Sequence, residues 1–340
     1  MQWTRSLALA AGALALGSTL SVARGPMGAR DADYVTAVNQ AHQRYKPERS
    51  GKVTNTVPAL ASVSPDLYAV VIVRVDGKVF EAGDAATLFV LESLAAPFTA
   101  ALVSEQRGTD VLTGTLGAVT GTAPTPPART PADWGAAPAT ALEAEGAIPT
   151  LSLVQPKGDA DGKWRALLAN VSAFAGRELT LDDRVYQSAL GGADRLRIQV
   201  RDLSQEGRLL DDPQLTTDLY LKQNSIAVTT RDLAVMAATL ANDGVNPLNG
   251  RRVVSPDTAH SMQSLITNAG LKGAKKEWMT KAHAGAAASL AGGGILVMPG
   301  RLGIAVYSAP LDSKGISVRG QRAMRYLAQV LMIGPDPTQP

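Results

Sequence analysis

The chain has no cysteine in its 340 residues. That excludes disulfides, thiolate metal sites, a cysteine nucleophile and a cysteine-linked lipid anchor. Histidine is scarce too. His42, His260 and His283 are far apart, and none has a ligand partner at helical or hairpin spacing, so no metal site is expected. Aromatics are 4% of the residues and are scattered, which leaves no base-stacking surface. No run of Lys or Arg forms a patch, and the net charge of +3 is too small to point to nucleic acid. Alanine and glycine are plentiful on an ordinary globular background of 45% hydrophobic residues. The length accommodates one large domain or two lobes.

The first apolar run is short. Arg5 gives a positive start, Leu7 to Leu20 is apolar and rich in small residues, and Ser21-Val22-Ala23 fits a small-x-small cleavage pattern. Residues 1–23 therefore read as a secretory signal, with 24–340 as a mature protein that is periplasmic or secreted and free of the membrane after cleavage. An uncleaved N-terminal anchor is the alternative, and the shortness of the run counts against it.

Asp31 to Tyr45 has the apolar spacing of an amphipathic helix. Leu67 to Val75 is apolar and β-branched, and Asp76-Gly77 followed by Val79-Phe80 signals a hairpin. Ser93 to Gln106 is helical in composition. Residues 113–140, with Pro124, Pro126, Pro127 and Pro131, read as a loop over the surface, either a partner-binding arm or, favoured here, a tolerated insertion. Helical patterns return at Lys163–Ala175 and Gln214–Leu221. Thr230 is expected to cap a helix through Asn242 that stops at Gly244. Pro256 opens another helix, to about Ile266. Ile295–Met298 and Leu302–Ser308 flank Pro299-Gly300 as a late strand pair, and Val318 to Leu331 reads as a final helix. Periodicity supports an α+β class, with one sheet assembled from both chain ends.

Particular stretches are more specific than periodicity. They include Gly51-Lys52-Val53 to Ala61, Asp76-Gly77 to Ala82-Gly83-Asp84, Asp218-Leu219-Tyr220 to Ser225, Asp232 to Pro247, Pro299 to Tyr307, and Ser317-Val318-Arg319-Gly320. Together they resemble the serine-dependent glutaminases, relatives of the β-lactamases and penicillin-binding proteins, over roughly residues 45–335. The resemblance implies a β-lactamase/transpeptidase-like fold, an antiparallel sheet flanked by helices with an inserted, mainly helical lobe. It places the sheet lobe at about 45–112 and 285–335 and the helical lobe at about 141–284. It implies no cofactor, a small-molecule amide or amino acid as ligand, and a homo-oligomer.

The same resemblance shows what the site lacks. The family carries Ser-x-x-Lys, in which the Lys sits one helical turn from the Ser and takes its proton. Here Glu92-Ser93-Leu94-Ala95-Ala96 keeps the serine and puts Ala96 at the lysine position. Ala144 and Leu196 stand where the family has Asn, Ala189 where it has Glu, and Lys272 where it has a second Tyr. Ala288 and Leu290 replace the Lys and first Gly of a glycine-rich strand, while Tyr220 is kept.

Ser93 is then either a nucleophile or, as favoured on sequence, a helix N-cap. Tyr220 is a proton relay or a packed aromatic. Ala291 could lend a backbone N–H to an oxyanion. Lys272 is a substitute base or a loop lysine, and its basic surroundings favour the loop. Glu92 and Glu145 are new carboxylates near the motifs; Lys281 and His283 precede the altered strand. The leading expectation is an exported glutaminase-like protein with impaired or no catalysis. The alternatives are an active glutaminase, making glutamate and ammonia, and another serine hydrolase of the same superfamily.

Overall fold

An apolar, β-branched run forms β1 (Ala69–Arg74), and the Asp76-Gly77 turn returns the chain as β2 (Val79–Gly83). In the computed structural model, residues 30–112, 142, 144–269, 271 and 284–331 are described. The signal reading of 1–23, the 113–140 segment, Lys272, Lys281 and His283 lie outside those residues.

β1 also pairs with β8 (Leu302–Tyr307), which pairs with β7 (Gly293–Met298), and that in turn with β6 (Gly285–Ala288). The result is a five-stranded antiparallel sheet of order β2-β1-β8-β7-β6. Ala69 faces Tyr307 across it, and Arg74 faces Leu302. Strand alternation sends Val71, Val73, Ile295, Val297 and Ala305 into one core, and Val70, Ile72, Leu296, Ile304 and Val306 into another. Because both faces are buried, a slip of one residue would move every side chain to the wrong core. Helix α1 (Asp31–Tyr45) and the last helix, α10 (Val318–Val330), supply the second core with Tyr34, Val38, Ala323 and Leu327. This is the expected α+β architecture.

The first core belongs to the central helix, α8 (Thr230–Ala241), whose residues Leu233 to Ala238 are all buried. It lies directly on β8. A Cβ on Gly303 would sit 2.3 Å from the Ala238 nitrogen and 2.6 Å from the Ala234 oxygen, so only glycine admits this approach. The cap is Thr229, not Thr230 as expected. Asp232 N–H donates to Thr229 Oγ1 at 3.1 Å, and Thr229 N–H donates to the Asp232 carboxylate at 2.8 Å. This reciprocal pair fixes the start one residue earlier, and Thr229 is extended as a cap must be.

Between the sheet's two halves the chain forms α2 (Ala96–Arg107), α3 (Ala144–Ser152), α4 (Ala160–Ala175), α5 (Asp183–Gly191), α6 (Asp194–Gln205) and α7 (Pro213–Asn224). Helix α9 (Pro256–Ala269) follows α8. A small sheet of order β3-β5-β4 ties these helices to the main sheet; β3 is Phe89–Val90, β4 Thr180–Leu181 and β5 Ile226–Val228. α4 starts three residues earlier than the Lys163 expected, because the Asp159 carboxylate accepts the Gly162 N–H at 2.8 Å. Likewise Asp212 caps α7. On α4, Lys163 is fully buried, its ammonium paired with Asp211 and donating to the Ser152 carbonyl at 2.9 Å.

Candidate functional site

After β3 the chain enters a 3-10 turn, Glu92–Ala95, that runs directly into α2. Glu92 takes a left-handed φ of 51°. For a residue with a Cβ that conformation costs about 1–2 kcal/mol, so the surroundings must hold it. The bend leaves Ser93 half-buried inside the turn. The N-cap reading of Ser93 is therefore corrected: the cap positions fall on Leu91 and Ala95, and neither start has a side-chain cap. The 3-10 turn already uses the first donors, with the Ala96 N–H bonded to the Ser93 carbonyl. Ala96 itself is 4% exposed. Its methyl, three residues on from Ser93, can take no proton.

The Glu92 side chain folds back over this turn. Its Oε2 accepts the Ser93 N–H at 2.5 Å and the Leu290 N–H at 3.4 Å. The second donor comes from the β6–β7 hairpin, 198 residues along the chain. Sequence reasoning pointed to the Ala291 N–H on this hairpin. The Glu92 contact uses the Leu290 N–H, while the Ala291 side chain packs with Leu60, Val90 and Val185. Those four residues line a cavity of about 50 Å³, with Asp182 and Arg184 at its rim. Next to them, Ser289 Oγ is buried without a hydrogen-bond partner among the described residues. Its backbone holds the hairpin, donating to the Gly293 carbonyl at 2.9 Å and accepting the Gly292 N–H at 3.0 Å.

Tyr220 comes from α7. Burial pushes its phenol up to about 12, the negative charge of Glu92 adds to this, and a hydrogen bond with Asn224 pulls the other way. Near pH 7 it therefore keeps its proton and can donate a hydrogen bond, but is no base. Tyr220 packs against an apolar cluster of Ile148, Val200 and Leu203, and Ala144 and Leu196 pack against the same cluster. Leu196 also joins Tyr186, Ala193 and Leu221, together with Ala189. The three positions that the resemblance assigned to Asn, Asn and Glu thus form part of an apolar wall. On α5, Ser188 is turned to structural work, its hydroxyl accepting the Ala59 N–H at 3.0 Å. Tyr186 O–H donates to Asp218, which also pairs with Lys222 at 2.8 Å.

The structure brings together Ser93, Glu92, Leu290 and Tyr220, and sets Ala291, next to Leu290 in the chain, in the lining of the small cavity. Of these, the Glu92–Leu290 contact was missed by sequence reasoning, although the acidic residue before the serine was its visible sign. Chemically, the cluster offers a hydroxyl, a phenolic donor and a carboxylate on two backbone donors. Among the described residues, no three His, Asp or Glu side chains are grouped to hold a metal ion.

The family model for Glutaminase matches residues 51–334. Glutaminase 2 of Yersinia pestis is 38% identical over 300 residues, covering 87% of each chain. The solved structure of the probable glutaminase ybaS is 31% identical with a TM-score of 0.81, covering 89% of this chain and 98% of that one. Mglu in its glutamate form is 28% identical with a TM-score of 0.80, covering 89% of this chain and 70% of that one. With its β-lactamase-like sheet, its helices and its serine turn in place, the chain belongs to the glutaminase family.

Proposed function

We propose that this protein is an exported glutaminase homologue in which hydrolysis of L-glutamine is lost or strongly impaired, and whose cleft binds a small amide or amino acid. The observation that carries this reading is Ala96, a buried methyl where Ser93 needs a proton acceptor. Loss of a general base alone lowers rates by about 10²–10⁴. The apolar packing of Ala144, Ala189 and Leu196 adds to that loss, because these side chains can offer no hydrogen bond to an ammonium, carboxylate or amide. The glutamate form of Mglu supports an amino-acid ligand class for the fold. Export is supported by the charge and apolar pattern of residues 1–23; cell fractionation with N-terminal sequencing tests it, and an intact Met1 in the cytoplasmic fraction would refute it.

The central test is ammonia release from L-glutamine by purified residues 24–340, beside Ser93→Ala. Background rates for both are expected. Turnover that disappears in Ser93→Ala would establish instead the second reading, an active glutaminase. That reading is supported by the retained Ser93 and Tyr220 and by the 38% identity to Glutaminase 2 of Yersinia pestis.

A further inference from the structure

Two backbone N–H groups, those of Ser93 and Leu290, converge on one carboxylate oxygen at 2.5 Å and 3.4 Å. They come from separate elements, a 3-10 turn and a hairpin, and the oxygen belongs to the residue immediately before Ser93. Glu92 makes these contacts with a φ of 51°, a region that residues with a Cβ rarely enter. Strained conformations of this kind persist where the surroundings over-determine them. The hairpin that carries the second donor is closed by its own backbone bonds, Ser289 N–H to the Gly293 carbonyl at 2.9 Å and Gly292 N–H to the Ser289 carbonyl at 3.0 Å.

We infer that the Glu92 carboxylate is an internal ligand of this donor pair and keeps small anions, carboxylates included, out of it. The inference rests on the impaired-enzyme reading only in treating Ser93 as part of the old site. A pair of converging N–H groups is the kind of place where a negatively charged oxygen is stabilised. Here the oxygen is supplied by the chain. A second anion would have to displace a side chain tethered one bond series away, at high effective concentration, and would meet its charge if it remained nearby. Glu92 therefore sets specificity by exclusion. Tyr220, whose phenol feels the same charge, stands beside the plug as a donor for whatever replaces it.

The test uses selective nitrogen-15 labelling of Ser and Leu in wild-type protein and in Glu92→Gly, with acetate as the probe. Glycine removes the carboxylate and suits the left-handed φ. Both the Ser93 and Leu290 amide signals are expected to shift in Glu92→Gly. Acetate should then move both back, binding the variant at least tenfold more tightly than the wild type. Glu92→Gln, which keeps the side chain's size but not its charge, serves if the glycine variant unfolds; acetate should again bind more tightly than to wild type. An unmoved Leu290 signal, or equal acetate binding by wild type and variant, would overturn the inference. Ammonia release measured on the same samples separates the two claims. Wild-type turnover overturns the impaired-enzyme reading whatever acetate does, and equal acetate binding without turnover overturns the plug alone.

Discussion

Lys163 and Asp211 form an ion pair with side-chain exposures of 0% and 4%. Burial works against the Asp211 carboxyl, but the hydrogen bond from Lys163 and the N–H groups of Gly158 and Asp212 outweigh it, so its pKa lies below the usual value. The pair joins α4 to the segment before α7. Replacing one member leaves an uncompensated buried charge. Lys163→Met is expected to cost about 3–5 kcal/mol, while Lys163→Met with Asp211→Leu should be close to neutral or stabilising. Urea titration of the three proteins checks this; equal losses in single and double variants would contradict it.

The same carboxyl gives an acid-side signature. A folded-state pKa below the unfolded value of about 3.9 contributes stability that is present above that value and lost as pH falls through the folded one. The melting temperature should therefore drop more steeply below about pH 4 in wild type than in Asp211→Asn, relative to each protein's value at pH 7. Parallel pH profiles would show that Asp211 contributes nothing there.

Asp232 serves two partners at once. It completes the cap of α8 and receives a forked pair of bonds from Arg177, at 2.8 Å and 2.6 Å. Asp232→Ala should destabilise by roughly 2–3 kcal/mol, more than an N-cap alone is worth. Arg177→Ala, whose side chain is 47% exposed, should cost less than 1 kcal/mol or so. Thermal denaturation of the two variants decides, and the reverse ranking would refute the argument.

At Gly303 the backbones of β8 and α8 come close enough to leave no room for a Cβ. Gly303→Ala should cost on the order of 1–3 kcal/mol or more, since the added methyl meets helix backbone, which cannot rotate away as a side chain can. A variant with unchanged stability would mean that the strand and helix separate freely.

Ala96→Lys alone should not restore glutamine hydrolysis. The site has also lost side chains at Ala144, Ala189 and Leu196, and Ala96 is enclosed, so the long side chain is expected to lower stability by about 1–3 kcal/mol through overpacking. Ammonia assays and melting curves on this variant check both parts; recovered turnover would show that the base was the only deficit.

The main sheet was legible because β1 is a short, continuous apolar and β-branched run bounded by a strong turn, and because the stretch from Pro299 to Tyr307 is specific to its family. Helices α5 and α6 were not foreseen as helices. Each buries only two residues, Val185 and Tyr186 in one, Val200 and Leu203 in the other; Leu196, Val200 and Leu203 do keep helical spacing, but the charged residues between them make a short apolar stripe that is easily passed over. The absence of a lysine at Ala96 was visible directly. The role of Ser93 in its turn was not, since a Ser before an apolar run looks like a cap until the left-handed Glu92 moves the start of the helix. The meeting of Glu92 with Leu290 joins residues too far apart in sequence for any local pattern to carry.

The neighbour of β1 across the sheet is β8, with Ala69 opposite Tyr307. On a ribosome adding about 5–20 residues per second, β1 emerges on the order of ten seconds or more before the strand that completes its ladder. In the interval it has only β2, and a lone hairpin is marginal in water. The apolar residues Val70 to Val73 are thus a waiting surface during synthesis, open to chaperones or to other nascent chains. A polypeptide released before β8 would keep that surface permanently, so premature termination should lead to aggregation or proteolysis rather than to a smaller folded protein.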